Sequence, residues 1–111
     1  MVERSNSKSN RRSKQAPIDT TFGHLQPQAT EIEKVVLGAL MIDKDAFTVV
    51  SEIIKPESFY EARHQKIYEA IQSLNLQEKP VDIMTVAEEL RHKGTLEEIG
   101  GPAYVVELSS N

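Results

Sequence analysis

A chain of 111 residues has length for one domain and not two. Its hydrophobic share of 39% sits below the globular norm of about 45 to 50%, and without Cys it has no disulfide framework, thiolate metal site or cysteine nucleophile. Charge is uneven: residues 1–25 carry five basic and two acidic groups, net +3, and the rest carry eight basic and 15 acidic, net −7, which argues against a phosphate-binding face.

The basic leader, Arg4, Lys8, Arg11, Arg12 and Lys14 among Ser and Asn, lacks apolar side chains from Glu3 to Gln15. It cannot bury enough surface to offset its ordering entropy, so residues 1–25 are expected to be a disordered, solubilising tail. Thr30 three residues before Glu33 reads as a capping box opening a first helix. Ile32, Val35, Val36, Ala39 and Leu40 recur at helical spacing as its inward stripe, widened by Leu37 and Met41. Gly38 inside that helix costs about 1 kcal/mol against Ala, which makes sense where another backbone crosses closely. The apolar run Val35–Ile42 falls far short of the roughly 20 residues that span a bilayer, and no signal peptide is visible, so a cytoplasmic home is expected.

Asp43 can cap a second helix with Ala46, Phe47, Val50, Ile53 and Ile54 on one face, ended at Lys55-Pro56. Tyr60, His64, Ile67, Tyr68, Ile71 and Leu74 define a third. Asp82 caps a fourth with Ile83, Val86, Ala87 and Leu90 inward, and Arg91, His92 and Lys93 precede a terminating Gly94. Thr95 to Glu98 reads as another capping box, but Gly100-Gly101-Pro102 permits only a turn or so. Pro102 then opens a last helix carrying Tyr104, Val105 and Leu108. No window alternates with period two and no repeat is visible. The expected fold is all-α, five or six short helices around one core, with domain bounds at 1–25 and 26–111, and the chain looks cut at a domain edge.

Most catalytic arrangements fail on spacing. No glycine is followed by the lysine of a phosphate-cradling P-loop. His24, His64 and His92 are too far apart to pair on one helix face as metal ligands. His64, on the apolar stripe of the third helix, reads as a hydrogen-bonded core histidine and not a base. Glu88-Glu89 and Glu97-Glu98 are adjacent and point to different parts of a helix surface, as solvated charge does. No catalytic, cofactor-binding or metal residue is therefore nominated.

The ordered strings are more informative. Val36-Leu37-Gly38-Ala39-Leu40, Ile53-Ile54-Lys55-Pro56-Glu57-Ser58-Phe59-Tyr60 and His64-Gln65-Lys66-Ile67-Tyr68-Glu69-Ala70-Ile71 come first. Val81-Asp82-Ile83-Met84-Thr85-Val86-Ala87-Glu88-Glu89-Leu90 and Gly94-Thr95-Leu96-Glu97-Glu98-Ile99-Gly100-Gly101-Pro102-Ala103-Tyr104 follow. In this order and spacing they resemble the N-terminal domain of DnaB-type bacterial replicative DNA helicases, from about Gln26 to Leu108. The resemblance implies a helical collar of a hexameric ring that docks primase and a helicase loader and binds little DNA itself. It also implies that ATP and Mg are held by a RecA-like C-terminal domain beyond Asn111, after a helical hairpin. A chain without that hairpin is expected to be monomeric or weakly dimeric. Two rivals are the helicase-binding domain of primase, which looks like the same fold, and a small helical DNA-binding module using the fourth helix. A small hydrolase lacks a nucleophile, base and orienting group that can be named together.

Overall fold

The structure is a computed structural model and describes residues 27–110; the leader lies outside the described residues. Five α-helices follow in chain order: α1 (Pro27–Ile42), α2 (Ala46–Val50), α3 (Ala62–Leu76), α4 (Ile83–His92) and α5 (Gly101–Ser109). A 3-10 turn, Pro56–Ser58, stands between α2 and α3, and no strand occurs among the described residues. The all-α expectation holds.

α1 packs against α5 and α3, α3 against α4, and α4 against α5, so four helices close round one core. Leu37, Ile67, Ile71, Val86, Leu90 and Leu108 fill it, each fully buried. Beside it, α2 and the 3-10 turn deliver Phe47 and Phe59 onto the Tyr68 ring, with centroids 5.8 and 5.1 Å away and planes tilted by 45°. The Tyr68 hydroxyl donates to the Ile54 carbonyl at 2.6 Å, which ties the irregular segment after α2 to α3. Burying a phenol there without that acceptor would be costly.

Gly38 is where α1 and α5 touch backbone to backbone. A Cβ built there would stand 2.2 Å from the Leu108 carbonyl oxygen, so the packing reason for a glycine is borne out.

Several boundaries and faces differ from the sequence reading. α1 begins at Pro27, so Thr30 and Glu33 lie inside it and form no capping box. Its buried side runs through Leu37, Gly38, Leu40 and Met41, whereas Ile32, Val35 and Ala39 face outward. With every position from Val35 to Ile42 uncharged, apolar periodicity alone could not choose between the two sides of the helix. Asp43 caps no helix: its Oδ1 accepts from the Asp45 backbone N–H at 3.0 Å within a turn, and α2 starts at Ala46. α2 ends at Val50, leaving Ile53 exposed on the turn that follows. Tyr60 precedes α3 and is exposed, while neighbouring Phe59 is the residue that goes inside. Ile83 lies at the outer edge of α4. Thr95 forms no second capping box: its N–H goes back to the Leu90 carbonyl at 2.9 Å, and Glu98 turns to Lys66 at 3.1 Å.

The remaining punctuation matches. Asp82 and Thr85 cap α4 reciprocally, each side chain accepting the other's backbone N–H at 2.9 Å. Pro102 sits in the first turn of α5 behind Gly100 at the N-cap.

Candidate functional site

The densest polar arrangement among the described residues is internal. Glu33, halfway along α1, reaches across to the start of α3. Its Oε2 accepts from the Tyr60 backbone N–H at 2.6 Å, and its Oε1 lies 3.4 Å from the Glu61 N and 2.7 Å from His64 Nδ1. A carboxylate can only accept, so the proton belongs on His64 Nδ1. In the neutral imidazole this leaves Nε2 to accept from the Tyr104 hydroxyl at 2.6 Å. His64 is fully buried and stacks on the Tyr104 ring, with centroids 5.9 Å apart and planes 11° apart. The Arg63 guanidinium covers that ring at 4.0 Å, a cation–π contact. It also donates through Nε to Glu61 at 2.7 Å.

The cluster anchors the chain where it enters α3. Glu33 from another helix accepts the backbone N–H groups of Tyr60 and of Glu61, the N-cap residue, while the His64 N–H bonds the Glu61 carbonyl at 3.0 Å. It also ties α1, α3 and α5 together through three side chains, whose polar atoms would each be expensive to bury alone. Burial acts to raise the Glu61 carboxyl, but hydrogen bonds from Arg63 and Thr30 outweigh it and hold the group below the usual carboxylate range. Burial pushes the Tyr104 phenol up, against the lowering pull of Arg63. Nearby, Lys34 of α1 and Glu107 of α5 pair at 2.7 Å; their hydrogen bond holds the lysine above and the carboxyl below their ordinary values.

His64, read from sequence as a core histidine, is one: no solvent reaches it. Its partners are Glu33 and Tyr104. The glutamate's position three after Thr30 reads in sequence as a local cap, and only the fold shows it meeting a residue 31 positions away.

The adjacent carboxylates diverge as expected. Glu88 pairs with Arg91, whose hydrogen bond lowers the carboxyl. Glu89 accepts from the Ser73 hydroxyl at 2.7 Å and from Gln77 at 3.5 Å, with the Ser73 bond lowering its carboxyl first. No group of three His, Cys, Asp or Glu that could hold a metal ion occurs among the described residues. Of the described helices, none is long and apolar enough to cross a membrane.

The exterior carries the other candidate feature. Along the outer side of α1, Ile32, Val35 and Ile42 are 61, 58 and 67% exposed, with exposed Ala39 between them. Beyond Ile42 the apolar surface continues into a shallow groove lined by Met41, Ile83 and Met84, with Asp82 and Ser109 at its rim.

Comparison with known proteins places this architecture. The family described as the DnaB-like helicase N terminal domain matches residues 25–111. The "Replicative DNA helicase DnaB" of Rhodothermus marinus is 47% identical over 88 residues, covering 79% of this chain and 9% of that protein. The "Replicative DNA helicase DnaC" of Bacillus subtilis is 41% identical over 93 residues, 84% of this chain and 20% of that one. The chain thus spans a fifth or less of these curated relatives. Among solved structures, the crystal structure of the N-terminal domain of DnaB helicase from Mycobacterium tuberculosis superposes with a TM-score of 0.71. It is 41% identical, and the match covers 77% of this chain and 60% of that one.

Proposed function

From the premise that the chain belongs to the DnaB-like helicase N-terminal domain family, we propose that it works as a protein-docking and ring-assembly collar. Primase is its first partner and a helicase loader its second. The observation that carries this reading is the separation of polar and apolar groups. The convergent polar residues are locked inside as struts between helices, and uncommitted apolar side chains lie outside along α1. A surface of that kind recognises protein by area and shape. The acidic body, net −7 from Gln26 onward, repels phosphate and speaks against a DNA-binding face.

In this reading unwinding, ATP and Mg belong to a part of the helicase outside these 111 residues, and self-association builds the ring on which the collar sits. Titration calorimetry of this chain, and of the same chain extended through the residues that follow Asn111, against primase from the same cell tests it. Both should bind, the longer one more tightly, because added interface contributes contacts on the same ordered frame. Absence of primase binding by either chain, or duplex DNA binding with a steep salt slope, overturns the docking reading. Phosphate release from ATP by the short chain would overturn the assignment of the motor elsewhere.

A further inference from the structure

We propose that residues 18–25 lie antiparallel along the outer face of α1 in the same chain, as a strap that covers its apolar stripe and brings the basic leader to an acidic end of the fold. The inference goes beyond the docking reading and does not depend on it.

The stripe is formed by Ile32, Val35, Ala39 and Ile42, exposed on the side of α1 opposite buried Leu37, Leu40 and Met41. A helix that is apolar on both sides is characteristic of one covered on both sides. Here α3 and α5 cover one side, and nothing among the described residues covers the other.

The stripe runs into a negative pole. Past Ile42 come exposed Asp43 and Asp45, with exposed Asp82 at the rim of the groove of Met41, Ile83 and Met84, and Lys44 is the cation among them. The C-terminal ends of α1 and α5 lie there too, since Ile42 and Ser109 both line that groove. Neither helix has a basic residue in its last turn to meet the negative end of its dipole.

Read back from Pro27, the leader repeats this order with the opposite sign. Leu25, Phe22 and Ile18 come first, with Asp19 the formal charge among residues 18–25, and Lys14, Arg12, Arg11, Lys8 and Arg4 follow. An apolar segment thus meets the apolar stripe, and five cations meet the negative pole. The reach agrees as well. The residue before a proline disfavours helical backbone, so the reversal falls at Gln26. Extended chain advances about 3.3 Å per residue and a helix about 1.5 Å. Measured from Pro27, Leu25 falls at about 7 Å, beside Ile32 at about 8 Å, and Phe22 at about 17 Å, over Ala39 at about 18 Å. Ile18 falls at about 30 Å, past Ile42 at about 23 Å and into the groove. Ala39 is the smallest side chain of the stripe and leaves room for the phenyl ring. Because the strap joins α1 directly, its docking is intramolecular, at an effective concentration of about millimolar, so a contact too small to hold a separate peptide can be occupied here.

NMR of the full 111-residue chain tests this. Nuclear Overhauser contacts are expected from the Phe22 ring to the Ala39 and Val35 methyls, unchanged on dilution because they lie within one chain. Phe22→Ser should abolish them and shift the Val35, Ala39 and Ile42 signals while those of core Ile67 and Leu90 stay in place. Added salt, or Arg11→Glu together with Arg12→Glu, should weaken them by removing the attraction between leader and pole. Should Phe22→Ser disturb the core signals, Ala39→Glu on the exposed side gives the second reading, and it should shift the Phe22 ring signals with the core intact.

Four outcomes overturn the proposal. They are a Phe22 ring without contact to α1, contacts that fade on dilution and so belong to a second copy, contacts indifferent to both salt and the Arg11→Glu, Arg12→Glu pair, or Phe22 ring signals that Ala39→Glu leaves unmoved.

Discussion

Gly38 and Tyr104 show how much single positions carry in this fold. A methyl at Gly38 would meet the Leu108 carbonyl oxygen, a backbone atom that cannot swing aside as a side chain does. Gly38→Ala should therefore destabilise by about 1 to 3 kcal/mol, overriding the helix propensity that alanine adds. Urea unfolding with an unchanged m-value would show it, and a variant as stable as the parent would refute the close contact. Tyr104→Phe removes the donor to His64 Nε2 at 2.6 Å and leaves a fully buried nitrogen without a partner. The expected loss is about 1 to 3 kcal/mol, read by the same unfolding experiment with Arg63 still over the ring. The sequence made the Gly38 contact legible, because a glycine amid good helix formers needs a steric reason. It also made His64 legible as a core group. Glu33 was not legible, since a carboxylate three residues after a threonine is equally a cap and a long-range acceptor, and only the arrival of α3 decides which.

At the scale of elements, three chain reversals share one closure. After α3, Lys79 N–H bonds the Leu74 carbonyl at 3.0 Å and Glu78 N–H the Asn75 carbonyl at 3.0 Å. After α4, Thr95 and Gly94 repeat the pattern on Leu90 and Arg91, and before α5 Gly101 and Gly100 repeat it on Leu96 and Glu97. Each is a Schellman motif, which puts one residue in the left-handed region. Two of those residues are Gly94 and Gly100, with φ of +78° and +117°; the third is Glu78, with φ of +59°. A side chain there costs roughly 1 to 2 kcal/mol, partly offset by the entropy glycine brings to the unfolded chain. Glu78→Gly should thus stabilise the domain by about 0.5 kcal/mol, seen as a small rise in melting temperature. Asp82→Ala, by contrast, should cost about 0.5 to 2 kcal/mol by opening the reciprocal cap of α4. The glycine stops could be read from the sequence. The stop at Glu78 could not, because its composition signals no left-handed residue and the geometry is imposed by the way α4 docks on α3.

Over the whole molecule, the direction of several titrations fixes where the fold is most stable. Glu61 and Glu89 hold their carboxyls low, so their stabilisation is present above the ordinary value of 4.5 and is lost as pH falls through the lower folded values. Tyr68 and Tyr104 hold their phenols high, chiefly through burial, so theirs is present below 10.0 and lost as pH rises beyond it. Melting temperature against pH should show a plateau between these limits, and Glu61→Gln should flatten its acid edge. The all-α class and order of elements followed from helical spacing and stop signals. The side of α1 that faces the core did not, because both sides are apolar. The backbone contact between α1 and α5 has a further consequence, for synthesis. Gly38 and Leu108 lie 70 positions apart, and translation adds about 5 to 20 residues per second. For roughly 4 to 14 seconds after Gly38 is made, the inner face of α1 has no α5 to meet. The domain cannot close piecemeal from its N-terminus as it emerges. Until Leu108 clears the ribosome, the part of α1 that α5 covers remains open to chaperones and to neighbouring nascent chains on the same message.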